Sequence, residues 1–93
     1  MTKFNILLPL YNDWRSVNLL IKKINKEFFR YKRFANILIL DDSSTQKAFL
    51  NINNLKNISS IKILTVNKNL GSQKIISVGL DFIKKKERND YRN

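Results

Sequence analysis

Ile37-Leu38-Ile39-Leu40 is a run of four consecutive apolar residues, and Asp41-Asp42-Ser43-Ser44 closes it. A strand that buries only one face alternates apolar and polar positions. An unbroken run of this length reads instead as a strand buried on both faces, the condition of a parallel sheet covered by helices. The two carboxylates fall where that strand must end. In open α/β sheets, ligands bind outside the carboxyl ends of the strands. Adjacent acids repel each other, so some partner is expected to use at least one of them.

The flanking segments repeat the theme. Phe4 to Leu10 reads as a first strand, with Pro9 near its end, where a missing N–H is tolerated. From about Asp13 to Tyr31, Val17, Leu20, Ile21, Ile24 and Phe28 recur at helical spacing, with Lys22, Lys23, Asn25 and Lys26 opposite. Asp13 or Ser16 is suited to cap that helix. Asn36 to Leu40 is the second strand. Thr45 to Leu55 reads as a weaker helix on Ala48, Phe49, Ile52 and Leu55, although three Asn residues oppose it. Ile61 to Val66 is the third strand, and a turn follows at Asn67-Lys68-Asn69-Leu70-Gly71. A last helix spans about Ser72 to Lys86, with Ile75, Ile76, Leu80 and Ile83 inward. Gly79 inside it suggests close packing, because Gly costs helix stability relative to Ala. Strands alternating with helices imply right-handed βαβ units. The expected fold class is therefore α/β, a partial doubly wound three-layer α/β/α arrangement with a mainly parallel sheet of three strands.

Composition narrows the chemistry. The chain has 93 residues, room for one small domain or part of a larger one, and 43% of them are hydrophobic, enough for a core. It has no Cys and no His. That excludes a disulfide framework, a thiolate metal site and any Ser-His-Asp or Cys-His mechanism within the chain. The net charge is +11, from 18 Lys and Arg against 7 Asp and Glu. Lys, Asn and Ile are frequent throughout, the basic residues look scattered along the chain, and no basic motif is interleaved with aromatics. A solvated surface is the favoured reading, and nucleic acid is not expected as a partner. The N-terminal apolar run is too short for a signal peptide, and no stretch nears the roughly 20 apolar residues of a membrane span. A cytoplasmic location is expected.

Three short elements converge on one edge of the expected sheet. Pro9-Leu10-Tyr11-Asn12-Asp13 ends the first strand, Asp41-Asp42-Ser43-Ser44 ends the second, and Asn69-Leu70-Gly71 follows the third and opens a helix. Tyr11 offers a flat face to a base or ribose. Asp42 is able to accept a hydrogen bond from an imide N–H. Gly71 lets backbone N–H groups approach an anion at a helix start, with Lys68 or Lys74 adding charge. Each element also has a plainer use. Asp42-Ser43-Ser44-Thr45 suits a turn and helix cap, Tyr11 suits packing, and Asn69-Leu70-Gly71 suits an ordinary turn. Neither a three-glycine dinucleotide fingerprint nor a P-loop is present.

The ordered set Ile6-Leu7-Leu8-Pro9-Leu10-Tyr11-Asn12-Asp13, then Ile37-Leu38-Ile39-Leu40-Asp41-Asp42-Ser43-Ser44, then Asn69-Leu70-Gly71 with Gly79-Leu80, resembles the start of family-2 glycosyltransferases. The resemblance covers nearly the whole chain. It implies a nucleotide-sugar-binding domain of the Rossmann-like GT-A type, of which residues 1–93 would be the N-terminal part, incomplete at the C-terminus. The closest flavour is the branch of polyprenyl-phosphate sugar transferases. The implied donor is a UDP- or GDP-sugar. The implied acceptor is a hydroxyl or a lipid phosphate such as polyprenyl phosphate.

Carried over position by position, Pro9, Tyr11, Asn12 and Asp13 would line the base and ribose pocket. Asp42 would bond the base, with Asp41 in support. Asn69 and Gly71 to Lys74 would lie near the ribose and diphosphate. Asp13 stands where the family often has Glu, and Ser43 where it often has Gly. The family's next strand ends in D-x-D, whose acids hold Mg²⁺ or Mn²⁺, and a general base lies further on. Asn89-Asp90-Tyr91 reads as the lead-in to that strand, but neither D-x-D nor a later acid follows. The chain alone is thus expected to hold no catalytic or metal-binding residues and to be inactive. An exposed sheet edge would need the missing half or an oligomer partner, and membrane association would belong to the full-length parent. A non-catalytic nucleotide-binding or regulatory module is the alternative. A receiver-like domain would need an Asp after the third strand, where Val66-Asn67-Lys68 stands.

Overall fold

The apolar runs become strands, as a computed structural model of residues 3–92 shows. The elements in chain order are β1 (Lys3–Leu10), α1 (Trp14–Arg30), β2 (Phe34–Asp42), β3 (Ile58–Val66) and α2 (Ser72–Arg92). The sheet is three-stranded and wholly parallel, in the order β1-β2-β3. The doubly apolar run therefore occupies the centre, where both of its faces are covered. From Ala35 to Asp42 every residue of β2 is buried except the half-buried Asn36.

The pleat divides that burial between two cores. On one face Leu8, Leu10, Ile37 and Ile39 pack with Trp14, Val17 and Ile21 of α1. On the other, Leu38 and Leu40 pack with Ile75 of α2, and Leu7, Leu64, Val66, Ile76 and Ile83 border them. One helix lies on each face. Ile21, Ile37, Ile39, Leu40 and Ile75 are the largest fully buried side chains. Burying each aliphatic side chain of this kind is worth about 1.5–3 kcal/mol, so β2 and its two helical covers carry much of the stability.

Asp13 starts α1, its carboxylate accepting the Ser16 N–H at 3.2 Å. The inner stripe of α1 differs slightly from the expected one. Trp14 and Asn18 belong to it, whereas Leu20 is exposed. Trp14 buries its ring at the expense of its indole N–H, which finds no partner among the described residues.

In α2, Ile75, Gly79 and Ile83 form the contact ridge and Leu80 turns outward. A Cβ on Gly79 would lie 2.8 Å from Leu40 Cδ2, so the glycine sets how closely α2 approaches the sheet. α2 continues to Arg92, placing Asn89-Asp90-Tyr91 in a helix and not on the approach to a strand.

The expected helix over Thr45 to Leu55 is absent. Residues 43–57 cross from β2 to β3 without regular structure. Its helix propensity is weak, and side chains elsewhere take up backbone groups that a helix would have used. Asn12 Oδ1 accepts the Gln46 N–H at 2.9 Å. Asn18 Oδ1 accepts the Asn51 N–H at 2.7 Å, while Asn18 Nδ2 donates to the carbonyls of Phe49 and Trp14 at 2.8 and 2.7 Å. Leu50, Ile52 and Leu55 still reach the α1-side core, so the apolar positions are buried as the spacing suggested, but from a coil. At its end the buried Asn57 donates from Nδ2 to the Arg33 carbonyl at 2.8 Å, and its N–H donates to Asn25 Oδ1 at 2.9 Å.

Candidate functional site

The parallel sheet brings the ends of β1, β2 and β3 to one edge, and the register aligns them. Leu10 pairs with Asp41, Asp41 with Thr65, and Asp42 with Val66. The three sequence elements singled out for chemistry therefore share that edge.

Asn12 joins the first two. It adopts a left-handed backbone with φ of 62°, which Asn tolerates better than most residues. Its N–H donates to Ser44 Oγ at 2.8 Å, and its Nδ2 donates to Thr45 Oγ1 at 3.1 Å. Ser43 is also left-handed, with φ of 61°. That conformation favours glycine and costs a serine about 1 kcal/mol.

The acidic pair divides between the faces of the sheet. Because side chains alternate along a strand, Asp41 shares the α1 side with Ile37 and Ile39, and Asp42 shares the α2 side with Leu38 and Leu40. Their repulsion is reduced by this divergence and by hydrogen-bond donors at each carboxylate. Asp41 Oδ1 accepts the Ser44 N–H at 3.0 Å, and its Oδ2 accepts the Thr65 hydroxyl at 3.3 Å. Asp42 Oδ1 accepts the Leu70 N–H at 2.7 Å, and its Oδ2 accepts the Gly71 N–H at 2.8 Å. Both acids are buried.

Asp42 thus clamps the β3–α2 turn. Asn69 adds a longer bond, Nδ2 to the Asp42 carbonyl at 3.4 Å. Gly71 has φ of 86°, and its carbonyl accepts the Ile75 N–H at 3.0 Å, which begins α2. The expectation for this turn was a pair of N–H groups open to an anion. Those of Leu70 and Gly71 are already held by a carboxylate, which also complements the positive end of the helix. The N–H groups of the first helical turn, at Ser72 to Lys74, are left without an intrahelical acceptor.

The candidate residues therefore fall into two groups. Asn12, Asp41, Asp42, Asn69 and Gly71 build the edge, and the turn-and-cap use weighed for Asp42 extends to Asp41 as well. Pro9, Tyr11, Asp13 and Lys74 are exposed around it. Tyr11 is 52% exposed, so its ring is open to stacking.

Of the residues that supply the opposing halves of these bonds, Ser44 and Thr45 enter the sequence reading only as turn and cap residues, and Thr65 does not enter it. Thr65 faces Asp41 by register, a relation visible only once the strands are aligned. Asn18 was also passed over, although its polar side chain on the apolar stripe of α1 was a signal.

Among the described residues no group of three or more acids, His or Cys stands close enough to hold a metal ion. Asp41 and Asp42 do not fit one as a pair, since they point to opposite faces and their oxygens already accept protein donors. Nor is any described helix long and apolar enough to cross a membrane. No protein-family model, curated protein or solved structure matches the chain.

Proposed function

We propose that this chain is the nucleotide-recognition part of a family-2-like glycosyltransferase, a Rossmann-like unit of the GT-A type that contacts a UDP- or GDP-sugar. The observation that carries the reading is the convergence of the Tyr11–Asp13, Asp41–Ser44 and Asn69–Lys74 segments on the carboxyl edge of one parallel sheet, the usual ligand edge of open α/β sheets. The path of α2 also supports it. Having left β3, α2 lies on the face opposite α1 and packs across β2 and β1. A right-handed crossover continuing from α2 would add its next strand beside β1. In this reading the place beside β1 is where a further strand would pair.

The reading divides the work between exposed residues and residues that build the edge. Tyr11 stacks on the base or ribose, and Asp13 and Pro9 border it. Lys74 and the first turn of α2 face the diphosphate. Asp42 acts mainly as the clamp on Leu70 and Gly71, with its remaining lone pairs toward the ligand. Mg²⁺ or Mn²⁺ would have to be held by residues outside this chain, so no step of transfer is assigned to it. The engaged state of both acids equally suits a non-catalytic nucleotide-binding module, which would bind without transferring sugar.

Calorimetric titration of UDP and GDP into the wild type and Tyr11→Ala tests the reading. Binding of one nucleotide is expected, weakened about tenfold or more in Tyr11→Ala by loss of stacking, with unchanged thermal stability. No binding of either nucleotide at millimolar concentration, or equal binding by both proteins, would sink it.

A further inference from the structure

Five of the 18 cations that look scattered in the sequence are gathered by α1. At 3.6 residues per turn, Arg15, Lys22, Lys23, Lys26 and Arg30 fall within an arc of about 100° on the side away from the sheet. All five are exposed, and none is in an ion pair among the described residues. They run along about 22 Å of helix. Lys32 and Arg33, also exposed, extend the patch beyond its end. Like charges four residues apart, as at Lys22 and Lys26 or Lys26 and Arg30, weaken an isolated helix. An opposite charge brought from outside would relieve that cost.

Exposed apolar side chains accompany the cations, and Glu27 lies outside their arc. Leu19 sits amid them, 53% exposed, and Phe29 flanks them, 67% exposed. Tyr31 follows, its ring 5.6 Å from the Arg30 guanidinium. A nucleic-acid duplex would pair with the charges but, with its bases already stacked, would leave the leucine and phenylalanine with nothing to gain. A bilayer interface rewards both components, lipid phosphates and carboxylates meeting the cations while the apolar side chains enter the acyl boundary.

We propose that the outer face of α1 docks the protein flat on an anionic lipid surface. α1 begins just after Asp13, so docking would hold the sheet edge carrying Tyr11 and Asn12 beside the membrane boundary. This inference stands on the charge and exposure of α1 and does not depend on the nucleotide reading.

Co-sedimentation of the full chain with phosphatidylcholine vesicles, with and without about a third phosphatidylserine, tests it. Binding is expected only with phosphatidylserine. Lys22→Gln/Lys26→Gln/Arg30→Gln is expected to weaken it about a hundredfold, from about fivefold per cation. The matched variant Lys84→Gln/Lys85→Gln/Lys86→Gln removes the same charge from α2 and should change it only a few-fold. Leu19→Ser/Phe29→Ser is expected to weaken it about tenfold. These positions are exposed, and circular dichroism on each variant checks that folding is kept. Failure to bind anionic vesicles, equal losses in the two triple variants, or tighter binding to duplex DNA or RNA that is indifferent to Leu19→Ser/Phe29→Ser would each overturn the proposal.

Discussion

The two connections that lead from strand to parallel strand cover the same face of the sheet by different means. Between β1 and β2 the chain forms α1, whose backbone groups satisfy one another and whose Trp14, Val17 and Ile21 enter the core. Between β2 and β3 it forms a coil whose Leu50, Ile52 and Leu55 enter the same core. The coil needs outside partners for its backbone, and Asn12 and Asn18 supply several. Apolar spacing selects which residues are buried. Whether the segment carrying them is a helix depends on where its N–H and C=O groups find partners.

Proline breaks this comparison most directly. Lys23→Pro, at an exposed position inside α1, removes a helical hydrogen bond and clashes with the preceding turn. It is expected to cost about 3 kcal/mol or more in urea denaturation. Ala48→Pro, at an exposed position of the coil, is expected to cost under about 1 kcal/mol, since no helical bond is lost there. Equal large losses would show that the 43–57 segment behaves as a helix.

Asn18 joins the two connections, so its removal should be felt in both. Asn18→Ala leaves the Phe49 carbonyl and the Asn51 N–H without their partner and is expected to cost about 2–3 kcal/mol. Hydrogen exchange should show the Asn51 amide losing protection, with the amides inside α1 less affected. Retained protection at Asn51 would separate the coil from Asn18.

The smallest effect concerns the opposite face. Gly79→Ala gains about 1 kcal/mol of helix propensity but drives a methyl group into Leu40, an overlap worth about 1–3 kcal/mol. A net loss of about 1 kcal/mol is expected in thermal or urea denaturation. In a Leu40→Ala background the same substitution should become neutral or stabilising, because the obstructing side chain is gone. Simple additivity of the two would refute close packing as the reason for the glycine.

The readable parts of the fold were those governed by near neighbours. The strand at Ile37–Leu40, most of the stripe of α1 and its Asp13 cap follow from residues within a few positions of one another. The 45–55 segment was misread because its Asn residues and weak propensity left the outcome to Asn12 and Asn18, more than 30 residues earlier. For the acidic pair, a usable signal was present. If β2 runs through Asp42, alternation alone sends the two side chains to opposite faces. Taking the strand to end at Leu40 hid that, and the partners of Asp42 lie 28 and 29 residues away.

By itself the sequence determined a parallel α/β arrangement and the gathering of three strand-end elements at one edge, because hydrophobic periodicity and turn chemistry act locally. Tertiary structure alone decided that the β2–β3 connection is a coil and that Asp41 and Asp42 serve as separate clamps. Those outcomes rest on hydrogen bonds between residues distant in the chain, and their geometry exists only once the strands are in register.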